Sequence, residues 1–133
     1  MKKLLTEVAA IAVLCATPVL AHHSFSAEYD AKQPITLRGT LTKMDWVNPH
    51  GRLYIDVTGP DGKVVNWEIE SGSPNSLIRK GLRQSDFPIG TEVVVDGYRA
   101  RKGTSQAIGT SVKFADGRNF FLGAPTDAPS AKP

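Results

Sequence analysis

The sequence predicts an all-β domain carrying one helix. Two observations lead to this. Five stretches of the chain read as strands, most of them alternating apolar and polar residues with a period of two. A single stretch after the export segment spaces its apolar residues as a helix does, and Gly, Pro, Asn and Asp mark the turns between these elements.

The elements follow in order. His22 to Gln33 is a polar lead-in with Phe25 and Tyr29 as anchors. From Pro34, the residues Ile35, Leu37, Gly39 and Leu41 face one way and Thr36, Arg38, Thr40 and Thr42 the other. The phase then slips, because Met44, Trp46 and Val47 are apolar and Lys43 and Asp45 are not. Such a slip predicts a bulge or sharp bend, and Gly39 helps the strand coil. Asn48-Pro49-His50-Gly51 is a turn. In a second strand Leu53, Ile55 and Val57 face one way and Arg52, Tyr54 and Asp56 the other. Gly59-Pro60-Asp61-Gly62 is a tight hairpin turn. In the third strand Val65, Trp67 and Ile69 oppose Asn66, Glu68 and Glu70.

The helix comes next. Ser73 suits its N-cap and Pro74 its first turn, Leu77, Ile78 and Leu82 make an apolar stripe, and Gly81 is a stop. A loop with Phe87 tucked inward leads to a fourth strand through Val93, Val94, Val95 and Tyr98, interrupted by Gly97. Lys102-Gly103 turns into a fifth strand, Gln106 to Phe114, and Asn119 to Leu122 adds a short edge segment. Three strands, a helix and two strands is the order of the OB-fold, a five-stranded Greek-key barrel. An open five-stranded sheet with one helix packed on it is the alternative.

The N-terminus has the three-part pattern of a cleavable export signal. Lys2 and Lys3 are its basic region, Val8 to Leu14 its apolar run, and Pro18 breaks the helix before Val19-Leu20-Ala21. The expected organisation is a signal peptide over 1–21, an OB-like domain over 22–122 and a disordered tail over 123–133. The apolar run falls short of the ~20 residues that span a bilayer, so no membrane anchor is expected after processing. The protein is expected in the periplasm or secreted. Cys15, the only cysteine of the 133 residues, lies inside the signal, so the mature fold must hold without a disulfide. The formal charge of +3 falls to +2 when Lys2, Lys3 and Glu7 leave. Such a small excess, with no clustered basic stripe, argues against a nucleic-acid partner. Arg99-Ala100-Arg101-Lys102 reads as a solvated hairpin tip.

Four motifs occur together: His22-His23-Ser24-Phe25, Trp46-Val47-Asn48-Pro49-His50, Gly72-Ser73-Pro74-Asn75 and Val95-Asp96-Gly97-Tyr98-Arg99-Ala100. In combination they resemble a family of small secreted bacterial proteins catalogued as a domain of unknown function. The resemblance covers nearly all of the mature chain. It implies export and a small β-rich domain, and brings no activity, substrate or cofactor. At the level of strand order alone, the chain is similar to periplasmic OB-fold proteins that bind small ligands, and that analogy of fold does not fix function.

Cleavage after Ala21 makes His22 the N-terminal residue. Its amine and Nδ1 can then chelate one metal ion, and a second imidazole completes a T-shaped site of three nitrogens. This histidine brace suits copper(II), which favours tetragonal nitrogen ligation. His50 or His23 supplies the second imidazole; zinc is the less favoured metal. A solvated His-His end with His50 as a turn residue is the competing reading. There is no mature cysteine nucleophile and no G-x-S-x-G elbow. Glu68 and Glu70 share a strand face, as paired carboxylates would, and read as an exposed polar face. On a barrel face that OB-folds commonly use, Arg52, Tyr54, Asn66 and Glu68, with Trp46 near the turn, are candidates for contacting a ligand. The expected function is non-enzymatic binding, with copper as cofactor. A metal-free module that binds a protein, peptide or glycan is the alternative, and a small copper oxidase is a third reading.

Overall fold

The structure, a computed structural model, describes residues 25–123. The segment expected to be an export signal, His22, His23 and the residues beyond Gly123 expected to be a disordered tail lie outside the described residues. A short helix α1 (Phe25–Glu28) runs directly into β1 (Tyr29–Asp45), followed by β2 (Arg52–Thr58), β3 (Val64–Glu70), α2 (Pro74–Arg79), β4 (Glu92–Ala100), β5 (Gln106–Phe114) and β6 (Asn119–Phe121). A single 3-10 turn, Gln84–Asp86, precedes β4. No helix among the described residues is long and apolar enough to cross a membrane.

The strands pair in the order β3-β2-β1-β4-β5-β6, and β3 also pairs with β5. That last pairing is parallel and matches Glu68 with Gln106, Ile69 with Ala107 and Glu70 with Ile108. It closes the sheet into a ring of five strands, the OB-type barrel, and rules out the open sheet. β1 makes closure possible by serving both sides. Its first half pairs with β4 and its second with β2, and Thr40 is matched in both ladders. The predicted phase slip is a bulge between Leu41 and Lys43. Thr42 is the extra residue, and its hydroxyl donates to the Tyr54 carbonyl at 3.1 Å.

Two glycines let strands cross closely. A Cβ on Gly39 would strike the Asp56 carbonyl, and one on Gly97 the Ile108 carbonyl. Gly97 stands at a second bulge, where Asp96 and Gly97 face Ser111 and Gly109 and Thr110 is the extra residue on β5.

The barrel interior collects the alternating residues: Leu37 and Leu41 from β1, Leu53 and Ile55 from β2, Ile69 from β3, Val93 and Val95 from β4, and Val112 and Phe114 from β5. Their burial is the main stabilising term. Leu77 and Leu82 of the α2 region are fully buried against this core, and Phe87 is buried with them. α2 starts as expected, with the Ser73 hydroxyl accepting from Ser76 N–H at 3.3 Å and Pro74 in the first turn. Gly81 follows it at φ +91°, a conformation that favours glycine. Ile78 does not join the buried stripe; it is 52% exposed. The helix is only six residues long, so its buried face is confined to the line of Leu77.

α1 and the early start of β1 were not foreseen. Phe25 and Tyr29 do act as anchors, in a small separate cluster with Ala100 and Ile108. The basic run at 99–102 is not one solvated tip. Arg99 lies 5.5 Å from the Trp67 ring, and Arg101 Nε donates to the Ser26 carbonyl at 2.7 Å.

Candidate functional site

The site forms on the outer side of the β3–β5 seam. Ile69 points into the barrel and is fully buried, so Glu68 and Glu70 point outward on either side of it. The turn carrying His50 is tied to the end of β3 by two backbone bonds, Gly51 N–H to the Gly72 carbonyl at 3.0 Å and Ser71 N–H to the Gly51 carbonyl at 2.9 Å. These bonds set His50 beside Glu70.

Glu70 divides its carboxylate between two partners. Oε1 lies 2.5 Å from His50 Nδ1, and Oε2 accepts from the Tyr29 hydroxyl at 2.6 Å. The Glu70 side chain is 17% exposed and that of His50 47%. Tyr29 is buried, and its phenol is pushed far above its ordinary range. Burial is the main cause, and the hydrogen bond to the Glu70 carboxylate adds to it. The hydroxyl therefore stays protonated and donates. The Glu70 oxygen facing His50 is an acceptor, so Nδ1 carries the ring proton. In the neutral ring the lone pair is then on Nε2, the nitrogen away from Glu70.

Glu68, two residues earlier, pairs with Arg52 Nε at 3.0 Å, and its other oxygen accepts from Gln106 Nε2 at 3.4 Å. The Arg52–Glu68 pair is partly exposed, so it fixes side-chain directions more than it stabilises the fold. Both carboxylates, with Arg52 and Tyr29, line a cavity of about 270 Å³ beside the seam.

The residues expected on a ligand face separate into two groups, and the described metal candidate, His50, lies with neither. Arg52, Tyr54, Asn66 and Glu68 do share the outer face of β2 and β3, opposite the buried Leu53, Ile55 and Ile69. Asn66 is engaged with Asp56 at 2.8 Å and Thr42 at 3.0 Å. Tyr54 lies under Lys43 Nζ, 5.0 Å from the ring centre. Trp46 is elsewhere: it is half-buried against the core, 6.3 Å from the Phe87 ring. His50 joins Glu70 and Tyr29. Sequence reasoning placed Tyr29 as an anchor only and Glu70 as a polar face. The signal that could have joined them is an acidic residue closing a strand shortly before a glycine-rich turn, opposite a His-Gly turn in the same hairpin.

Among the described residues, no group of three or more His, Cys, Asp or Glu side chains could hold a metal ion. His50 is the one histidine there, so any second imidazole ligand would come from beyond those residues. The His50–Glu70 contact fits such a role, since metal-binding imidazoles commonly donate their second N–H to a carboxylate.

Comparison with the curated proteins and with solved structures gives no match. A family model does match, over residues 10–110: the chain belongs to the family of unknown function DUF6152.

Proposed function

For this member of a family without an assigned activity, we propose an exported, non-enzymatic protein that holds copper through His50, His22 and His23. The observation that carries the proposal is the Tyr29–Glu70–His50 chain of contacts. It orients the His50 ring, places the proton on Nδ1 and leaves the Nε2 lone pair for a metal. Chain reach supports it as well. Three residue steps lead from Phe25 back to His22, a reach of at most about 10 Å. Phe25 packs on Tyr29 with ring centres 5.9 Å apart, and Tyr29 holds the carboxylate that holds His50. In this reading His22 supplies its amine and Nδ1, His50 supplies Nε2, and His23 is a further nitrogen. Bound copper would supply a redox-active centre that can be stored or passed on. Holding or delivery ranks above oxidation.

Calorimetric titration of protein beginning at His22 with copper(II) is expected to show submicromolar binding. Placing one extra residue before His22, or the change His50→Ala, should abolish it. Glu70→Gln should weaken it by about tenfold or more, the usual effect of losing a carboxylate that orients a ligand. Equal weak binding by all four proteins would overturn the proposal. In that case the metal-free reading gains, a protein, peptide or glycan partner on the outer face of β2 and β3. The observation that favours it is that Arg52, Tyr54, Asn66 and Glu68 do share that face.

A further inference from the structure

The cavity beside the β3–β5 seam has a charge pattern that the copper reading does not use. Its lining includes three carboxylates, Glu28, Glu68 and Glu70, and three cations, Arg52, Arg101 and Lys102. Its floor is built from Tyr29, Ala100 and Ala107, all buried. Arg52 is paired with Glu68, and Glu28 sits beside Arg101, whose backbone N–H donates to the Glu28 carbonyl at 2.9 Å. Glu68 and Glu70 lie together on β3, and Arg101 and Lys102 lie together where β4 gives way to β5. Arg101 is anchored to α1 through the Ser26 carbonyl, which fixes the cationic side. Lys102 makes no hydrogen bond or ion pair among the described residues, so its three N–H donors face solvent. Each oxygen of Glu68 and Glu70 has a protein partner and a further lone pair.

We infer that this cavity binds a small organic zwitterion, of the size of an amino acid or dipeptide. The ligand's ammonium group lies against Glu68 and Glu70 and its carboxylate against Arg101 and Lys102. The other ligand chemistries fit less well. A lone anion would meet three carboxylates, and a lone cation three cations. A neutral sugar would desolvate both charged sides without compensating either. The volume, about 270 Å³, falls just below the range of drug-sized pockets and equals roughly nine waters, which suits a dipeptide. No metal takes part, so this inference stands apart from the copper reading.

The test is titration of protein beginning at His22, with a chelator present, by calorimetry and by amide chemical shifts. The probes are L-alanyl-L-alanine, its N-acetyl form and its C-terminal amide. The zwitterion is expected to bind saturably, and each blocked form about tenfold or more weaker, because each lacks one charge-assisted contact. Lys102→Met and Glu68→Gln should each weaken the zwitterion by a similar factor and leave the thermal midpoint unchanged, with shifts confined to residues around the seam. Absence of saturable binding to the unaltered protein, or equal binding of all three probes, overturns the inference. A copper titration that fails while the dipeptide binds leaves it standing, and the reverse outcome removes it alone.

Discussion

Glu70 has one oxygen for His50 and one for Tyr29, and this division sets how the site responds to pH. Burial and the Glu70 carboxylate raise the Tyr29 phenol pKa on folding. A group raised in this way holds its proton more tightly folded than unfolded. Its stabilising contribution is complete below the unfolded value of about 10 and is lost as pH rises above it. Tyr29→Phe removes that dependence. It also removes a hydrogen bond to a charged, largely buried oxygen, which costs about 1–3 kcal/mol near neutral pH. Urea denaturation across the alkaline range should therefore find Tyr29→Phe less stable at neutral pH but with a shallower decline above about pH 10. Part of the slope persists, because the Tyr54 phenol is also raised, by desolvation first and by Glu68 next. An unchanged slope in Tyr29→Phe would mean that folding does not raise the phenol's pKa.

At the scale of elements, barrel closure depends on how closely strands approach. Gly97 sits where β4 crosses β5, and a methyl group there points into the Ile108 backbone carbonyl. Backbone cannot step aside as a flexible side chain can. Gly97→Ala is expected to cost about 1–3 kcal/mol or more, the range of overpacked sites. Gly62→Ala is the contrast. It has open space around the added methyl, though its φ of +77° brings a smaller strain. Chemical denaturation of both variants should give Gly97→Ala the larger loss, and the reverse order would show that the β4–β5 crossing is not tight. α2 is legible from its cap and its Leu77 contact, yet Ile78 faces solvent because a helix this short has one narrow buried line.

For the whole molecule, stability rests chiefly on the barrel core, since a single cysteine, Cys15, cannot form a disulfide within the chain. Leu53 and Ile69 are fully buried on neighbouring strands. Leu53→Ala should cost about 2–5 kcal/mol, and urea unfolding should stay a single transition. A loss below about 1 kcal/mol would mean that the barrel interior collapses around the gap.

The strands were legible because alternation records which side chains meet the core, and that pattern is local. Leu37, Leu53, Val95 and Val112 each carry it in their own segment. The bulge at Thr42 was legible because an inserted residue shifts the apolar phase. By itself the sequence determined the order of the strands along the chain, the helix α2, the turns and His50 as a candidate ligand. Only the tertiary structure decided that β3 closes on β5, bringing Glu68 and Glu70 beside Gln106 and Ile108. It alone put Tyr29, 41 positions before Glu70, in hydrogen-bond contact with it, and sent Trp46 to Phe87 instead of to a ligand face. The physical reason is that pairing across a closed ring depends on strand curvature and register summed over the whole barrel, which no local stretch of residues encodes.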